Sequence, residues 1–376
     1  MLFAAEGALY SAIAPLVPHY AHTLHLSRSG AGVLVATYSA GVLVGAVVAG
    51  QLIGRIGPRR TIVLGLAVVG ASSIAFGVAN NVALLDALRT VQGGGAGLLW
   101  AAGLAWIIST GDPERRGALL GTAFGAAIFG TLVGPLVGTF AAAVSPSLAF
   151  GVVAMASLGL GLLVARIRAD EGSTRESGTP LRSALAKTDV LMGLWLVLLP
   201  AAAFGIVNTL APLRMASLGA SGIAVGATFV VAAAIATATS PAVGYLTDRV
   251  GTGSLARLTL VVTAACLAVL MIPHAGWGVA VLTVVFVGVV GPAWTIPAVT
   301  MLTSATDRAG LSQGLAAMLL NIAFALGETV GSPAAANLAQ IGGDELPFAL
   351  LAAVSLVTAV IGPDRVGRGQ VSARAG

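Results

Sequence analysis

The chain contains 376 residues, of which 57% are hydrophobic and only 9% are charged, and its mean hydropathy is +0.98. This composition excludes a water-soluble domain and indicates an integral membrane protein. Because one crossing needs ~20 apolar residues, twelve crossings would use roughly 240 residues and leave only short loops. The single cysteine, Cys266, excludes an intramolecular disulfide.

Charged residues mark the breaks between twelve predicted spans. In chain order these are 1–18, 29–54, 61–85, 90–111, a hairpin within 117–165, 190–213, 215–247, a hairpin within 258–306, 311–335 and 345–362. Each hairpin contains two spans, which are separated by the turn signals Ser145-Pro146-Ser147 and Pro273-His274-Ala275-Gly276. Abundant Gly and Ala suit close packing between membrane helices. The sequence therefore predicts an all-α integral membrane fold.

The basic residues predict how these spans are oriented. The loops after spans 2, 4, 6, 8 and 10 and the C-terminal tail hold 16 of the 19 basic residues, the exceptions being Arg28, Arg89 and Arg214. Because basic residues concentrate on the cytoplasmic side, both termini are predicted to be cytoplasmic in a plasma-membrane protein. We expect no nucleic-acid partner. Span 1 starts at Met1 without the basic region of a signal peptide, so we interpret the chain as beginning inside that span.

A repeat divides the spans into two halves. The segment Gly50-Gln-Leu-Ile-Gly54-Arg55-Ile-Gly57 after span 2 recurs as Gly244-Tyr-Leu-Thr-Asp248-Arg249-Val-Gly251 after span 8. Parallel repeats of this kind are typical of rocking-bundle transporters that bind substrate between the halves. The predicted organisation is an N-terminal six-helix bundle at 1–166, a cytoplasmic linker at 167–188, a C-terminal six-helix bundle at 189–362 and a cytoplasmic tail at 363–376.

Three segments resemble signatures of the major facilitator superfamily, of the twelve-helix drug:proton antiporter type. Gly50 to Arg60 is similar to the loop 2-3 signature, Arg89-Thr-Val-Gln92-Gly93-Gly-Gly95 to the span-4 signature, and Gly130-x-x-x-Gly134-Pro135-x-x-Gly138 to the span-5 antiporter signature. The resemblance covers essentially the whole chain. It implies a secondary transporter, not an enzyme, that exports a small organic compound or drug in exchange for protons by alternating access.

Within the superfamily, the chain resembles the vesicular amine transporters and their bacterial relatives, which have an acidic residue nine positions before the first proline of span 1. Glu6 and Pro15 have this spacing. Two positions depart from the pattern. The usual loop 2-3 Asp is Gly54, and the Asp that the amine transporters have in span 11 is Asn321. An amine substrate therefore does not follow from the resemblance.

Glu6 and Glu328 lie inside predicted spans, and Arg89 directly precedes the charge-free run 90–111 in a helix expected to start near Asn81. An ionisable group within a membrane helix is expensive unless it faces a cavity or a partner. Glu6 is the first candidate for proton coupling, because burial disfavours the charged form of a carboxyl group. Arg89 and Glu328 are the other candidates for proton coupling. They are predicted to lie at the same depth in the membrane, where they could pair across a cavity, and Glu6 and Asn321 are predicted to form a deeper layer. For Arg89, hydrogen bonds to helix carbonyls are the structural alternative. Asp86, one turn earlier, is expected to be its partner or to lie at the outer rim.

Other residues are assigned to binding, hinge and gate roles. Gln92, Asn321 and Trp294 are predicted to line the substrate cavity, although core packing is the alternative for Trp294. Gly130, Gly134, Pro135 and Gly138 are predicted to form a hinge that permits bending and close packing of span 5. Ion pairs at an inner gate are predicted to involve Arg55, Arg59, Arg60, Asp248 and Arg249. The alternative is that these charges only set the membrane topology.

The remaining alternatives concern function. An uptake symporter or uniporter for a sugar or metabolite, or a non-transporting sensor on the same fold, stays open. His19, His22 and His25 are interpreted as an outer loop rather than a metal site. Gly219-Ala-Ser221-Gly222 resembles a rhomboid protease signature, but no nearby histidine is predicted to activate the serine. We expect a monomer in the lipid bilayer that uses a small-molecule substrate and protons, without a metal or cofactor.

Overall fold

The structure, a computed structural model, describes residues 1–110, 116–167, 181–270, 272, 276–311 and 313–361. Within these ranges it contains fifteen α-helices and one π-helical turn. The helices are α1 (Leu2–Ser11), α2 (Ile13–Thr23), α3 (Arg28–Ile56), α4 (Pro58–Val78), α5 (Val82–Thr110), α6 (Arg116–Ala143), α7 (Pro146–Arg166), α8 (Leu181–Leu185), α9 (Thr188–Ser217), α10 (Gly222–Val250), α11 (Thr252–Leu270), α12 (Gly276–Val285), α13 (Gly291–Arg308), α14 (Gln313–Gly342) and α15 (Glu345–Ile361).

The predicted all-α fold with twelve spans is confirmed. Span 1 is divided into α1 and α2, and span 10 consists of α12, the π-helical turn Phe286–Val290 and α13. Each of the other ten spans is a single helix, and α8 is a five-residue helix ahead of span 7. In the described part of the chain, eight helical segments are long and apolar enough to cross a bilayer, and one of these is the continuous segment Gly276–Arg308 formed by α12, the π-helical turn and α13.

Local sequence explains several of the helix boundaries. Ser145 caps α7, because its hydroxyl accepts a hydrogen bond from the backbone N–H of Leu148 at 3.3 Å, and Pro146 occupies the first helical position. The turn predicted at 145–147 therefore lies where α6 ends and α7 begins. Gly57 separates α3 from α4 with a φ of 80°, a conformation that residues with a side chain rarely adopt.

The described helices group into two units. The first contains α1 to α7 together with residues 219–230, which include the first turns of α10. Its main packing pairs are α3 with α5, α4 with α5, α4 with α7, and α1 with α6. The second contains α8, α9, the rest of α10 and α11 to α15, in which α9 packs against α14 and α13, and α11 against α15. Residues 168–180 of the predicted linker and the predicted tail at 363–376 lie outside the described residues.

Candidate functional site

The first unit contains a buried polar network on four helices. Its members are Glu6 of α1, Tyr38 of α3, Ser73 of α4, and Arg89 and Gln92 of α5. Glu6 is partly buried, whereas the side chains of Tyr38 and Arg89 are each only 1% exposed and Gln92 is fully buried. Because a charged side chain inside a span is costly, such a network is a functional-site candidate.

The carboxylate of Glu6 has two aromatic hydrogen-bond donors. The hydroxyl of Tyr38 donates to Oε1 of Glu6 at 3.1 Å, and the side chain of Trp100 forms a second hydrogen bond to the carboxylate. Trp100 also packs against the ring of Phe3, with 4.7 Å between the ring centroids. No sequence pattern predicted a hydrogen-bonding role for Trp100 or Tyr38. A polar hydroxyl inside an apolar span was the available signal for Tyr38.

The guanidinium of Arg89 holds the C-terminal end of α1. Its two terminal nitrogens each donate to the carbonyl of Leu9 at 3.1 Å, and one of them also donates to the carbonyl of Tyr10 at 3.1 Å. These carbonyls belong to the last turn of α1, where the helix dipole favours a positive charge. The guanidinium also stacks on the ring of Tyr38, at 4.2 Å from the centroid. Arg89 is therefore attached to α1 and α3 simultaneously.

Gln92 fixes the other side of the guanidinium. Its Oε1 accepts a hydrogen bond from Arg89 at 3.1 Å, and its Nε2 donates to the hydroxyl of Ser73 at 3.1 Å. Asp86, by contrast, forms no ion pair with Arg89, and its Oδ1 is buried without a hydrogen-bond partner among the described residues. The arrangement places Glu6 and Arg89, which the sequence assigned to different depths, on opposite parts of the same tyrosine.

In the second unit, the predicted site residues occupy α13 and α14. Glu328 is 2% exposed, and Asn321 is partly buried. Trp294 is 1% exposed, and its indole N–H has no hydrogen-bond partner in the described part of this unit. Because Arg89 and Glu328 belong to different units, their pairing across a cavity stays a prediction.

The three glycines among the predicted hinge residues line the contact between α6 and span 1. A Cβ atom added at Gly134 would lie 2.9 Å from the backbone nitrogen of Ala12, and one at Gly138 would lie 3.2 Å from Cδ of Pro15. Gly130 faces the backbone of Ala4 in the same way. These glycines therefore allow two helix backbones to approach closely.

Pro135 removes a backbone donor from α6. A proline has no N–H, so the carbonyl of Thr131, four residues earlier, loses its usual partner within the helix. The hydroxyl of Ser11 on α1 is shared between this carbonyl, at 3.1 Å, and the carbonyl of Gly7 in its own helix, at 2.9 Å. Bending at Pro135 is therefore compatible with a satisfied backbone, which is one requirement for the predicted hinge.

The π-helical turn in span 10 was not predicted. The backbone N–H of Gly291 donates to the carbonyl of Phe286, five residues earlier, directly before Pro292. Pro292 leaves the carbonyl of Gly288 without its helical partner, and the hydroxyl of Thr239 on α10 donates to that carbonyl at 2.8 Å. Turns of this kind are frequent at functional sites. The available signal was a proline in the middle of a predicted span.

Two of the predicted gate residues, Arg59 and Arg249, have partners within their own units. Arg59 donates to the carbonyls of Ala165 and Ile167, at 3.1 and 2.9 Å, and so caps the end of α7. Arg249 stacks on Tyr245 at 4.7 Å, and the side chains of Arg55 and Arg60 are exposed. The side chain of Asp248 lies outside the described residues.

Two further features of the described chain bear on the predictions. Arg308 and Asp189 form an ion pair at 3.6 Å that the sequence analysis missed. Asp189 lies in the first turn of α9 and Arg308 in the last turn of α13. Opposite charges at these two helix ends were only a weak sequence signal for the ion pair. No group of three His, Cys, Asp or Glu residues in the described ranges is arranged to hold a metal ion.

Twelve spans that contain buried charged side chains, in a chain whose described helices group into two units, indicate a membrane transporter. A family model described as Major Facilitator Superfamily matches residues 1–328. The chain therefore belongs to the major facilitator superfamily. It is a multi-pass integral membrane protein of a family of small-molecule transporters.

Individual relatives are similar over shorter segments. Multidrug resistance protein 2 of Bacillus subtilis (strain 168) is 27% identical over 130 residues, which are 35% of this chain and 32% of the relative. A probable vesicular acetylcholine transporter-B of Danio rerio is 32% identical over 193 residues, which are 47% of this chain and 38% of the relative. The matches thus span about a third of these relatives' length. The crystal structure of the nucleoside transporter NupG superposes with a TM-score of 0.73, covering 96% of each chain at 11% identity, which shows the fold alone.

Proposed function

We propose that the protein is a proton-coupled exporter of small organic compounds or drugs that alternates access between its two halves. In this proposal it acts as a monomer in the plasma membrane, with both termini in the cytoplasm. The observation that carries the proposal is the carboxylate of Glu6, which accepts a hydrogen bond from Tyr38 beside the buried guanidinium of Arg89.

A proton on Glu6 would change how α1 is held. The ionised carboxylate attracts the guanidinium of Arg89, and protonation removes that attraction. Tyr38 can donate to Glu6 in either state, because a protonated carboxyl group keeps an acceptor oxygen. Since Arg89 also binds the last carbonyls of α1, the charge on Glu6 would alter the attachment of α1 to α5. Protonation would thereby shift the balance between two conformations of the first unit.

The structure supports a revised role for one predicted cavity residue. Both ends of the Gln92 amide are engaged, by Arg89 and by Ser73, and the side chain is fully buried. We therefore assign Gln92 to positioning Arg89 rather than to binding substrate. Asn321 and Trp294 remain proposed cavity residues, Glu328 a proposed second coupling residue, and the arginines and Asp248 a proposed inner gate.

The names of the relatives favour efflux, because several are multidrug resistance or efflux proteins. Uptake by symport or uniport is the second candidate, and a nucleoside transporter shares the fold. A non-transporting sensor would need no titrating group inside its spans. The discriminating observation is whether Glu6 is required to use a proton gradient.

The test is transport in proteoliposomes with an imposed pH gradient and a panel of labelled organic cations, nucleosides and sugars. Antiport predicts that a compound accumulates in the acidic lumen and that protons leave the lumen with the same time course. Accumulation on the alkaline side would indicate proton symport, and movement independent of the gradient would indicate a uniporter. Either result would contradict the proposed mechanism.

A further inference from the structure

A groove runs along the outer surface of the second unit, between the first turns of α9 and the last turns of α15. It has a volume of about 340 Å³. Met192 and Trp195 line one wall, and Val354, Val357 and Ile361 line the other. Trp195 and Val357 are 40% and 56% exposed, so the groove is open to the surroundings of the spans. In a multi-pass membrane protein those surroundings are lipid.

The polar atoms of the groove are already paired. The indole N–H of Trp195 donates to the hydroxyl of Thr358 at 3.2 Å across the two helices. This bond satisfies the donor of the largest lining side chain, so the walls present mainly hydrocarbon and an aromatic face. A hydrocarbon chain is therefore the occupant that the lining suits.

Cationic side chains stand at one end of the groove. Nε of Arg257 donates at 3.2 Å to the carbonyl of Ala359, in the same turn of α15 as the lining residues Val357 and Ile361. Lys187 directly precedes α9 at this end, and its side chain is exposed. The groove thus combines an apolar trough with positive charge at one terminus, and both features together fit an amphiphile with a negative headgroup.

We propose that this groove binds an acyl chain of an anionic phospholipid whose headgroup contacts Lys187 and Arg257. Basic pockets beside membrane helices attract such headgroups. The proposal requires the protein to lie in a bilayer and does not depend on the direction of transport or on proton coupling. The end in question belongs to the side where basic residues concentrate.

Fluorescence quenching by brominated lipids tests the proposal on the intact protein. The protein is reconstituted with brominated phosphatidylglycerol diluted into phosphatidylcholine, or with brominated phosphatidylcholine diluted into phosphatidylglycerol. The contribution of Trp195 is obtained by subtracting the spectrum of Trp195→Phe. We expect half-maximal quenching at a mole fraction at least threefold lower for the anionic brominated lipid. Trp277, which is 77% exposed, provides the control through Trp277→Phe and should show no preference.

A charge-removing variant tests the headgroup contact. Lys187→Gln combined with Arg257→Gln should reduce the preference to below 1.5-fold, whereas Arg28→Gln, an exposed arginine in the first unit, should leave it unchanged. Equal quenching of Trp195 by both lipids in the wild-type protein would overturn the proposal. So would shielding of Trp195 from both lipids together with a dimeric mass, because a second copy would then cover the groove.

Discussion

The hydroxyl of Thr239 on α10 donates a hydrogen bond to the backbone carbonyl of Gly288 on span 10, at 2.8 Å. Pro292 removes the N–H that would otherwise pair with this carbonyl. The first unit contains a related arrangement, in which the Ser11 hydroxyl is shared between the carbonyl of Gly7 in its own helix, at 2.9 Å, and that of Thr131, at 3.1 Å, four residues before Pro135. In both units a hydroxyl from a neighbouring helix thus donates to the carbonyl four residues before a proline.

Thr239→Val should destabilise the second unit, because it keeps the side-chain shape and leaves the Gly288 carbonyl unpaired. We expect a loss of about 1 kcal/mol in the free energy of unfolding. Thr283→Val is the matched control, since the buried Thr283 hydroxyl bonds only within its own helix, to Val279. Unfolding in mixed micelles measures the free energy of unfolding of both variants. Equal losses in the two variants would show that the cross-helix bond has no special role.

A double-mutant cycle tests the corresponding arrangement in the first unit. Ser11→Ala should be destabilising by about 1 kcal/mol in the wild-type chain. In a Pro135→Ala background it should have less effect, because alanine restores an N–H for the Thr131 carbonyl and Ser11→Ala then removes only the bond to the Gly7 carbonyl within α1. The coupling energy is read from the unfolding of all four proteins. Additive effects would contradict the assignment. If Pro135 also supports a hinge, Pro135→Ala should slow turnover at unchanged membrane abundance.

Glu6→Gln should abolish accumulation driven by a pH gradient while leaving exchange of substrate at equal pH partly intact. Glutamine keeps the volume and hydrogen bonding of the side chain and cannot release a proton. Glu345→Gln, at an exposed acid in the first turn of α15, should transport normally. Flux of labelled substrate into proteoliposomes is measured under both conditions. Full gradient-driven accumulation by Glu6→Gln would remove Glu6 from the coupling mechanism.

Arg89→Lys should impair transport although it preserves the charge. A lysine ammonium cannot reproduce the planar set of donors that binds Leu9, Tyr10 and Gln92 together. We expect turnover to fall at least tenfold. Arg214→Lys is the control, because Arg214 also binds backbone carbonyls, those of Leu270 and Ile272, outside the network. Equal turnover in the two variants would indicate that only positive charge is needed at position 89.

Gly134→Ala should separate α6 from α1, since the added Cβ would lie closer to Ala12 and Ser11 than side-chain carbons normally approach. Gly125→Ala on the same helix has no heavy atom within 4 Å of the added Cβ and should be neutral. Thermal stability in detergent and transport rates are compared for both variants. A neutral effect at Gly134 would mean that the contact relaxes easily and does not constrain span 5.

The sequence was sufficient for the spans and the family. Membrane spans are set by local composition, because roughly 20 consecutive apolar residues satisfy both the bilayer and the backbone within one segment. The turn at Ser145-Pro146-Ser147 was also predictable from local sequence, because Ser145 caps α7 and Pro146 occupies its first position. Glu6, Arg89 and Glu328 stood out as candidates because charge is rare inside a span.

Only the tertiary structure decided what these residues contact. Tyr38 is 32 positions from Glu6, and nothing in the local sequence distinguishes its hydroxyl from that of any other tyrosine. The position of α3 in the fold places this hydroxyl at the carboxylate. Arg89 binds carbonyls of α1 about 80 positions away, and every residue has a carbonyl, so no sequence pattern marks that partner. Thr239 and Gly288 are likewise joined only by packing. Spans follow from properties summed along one segment, whereas partners depend on how separate helices face one another, and that geometry is a property of the whole fold.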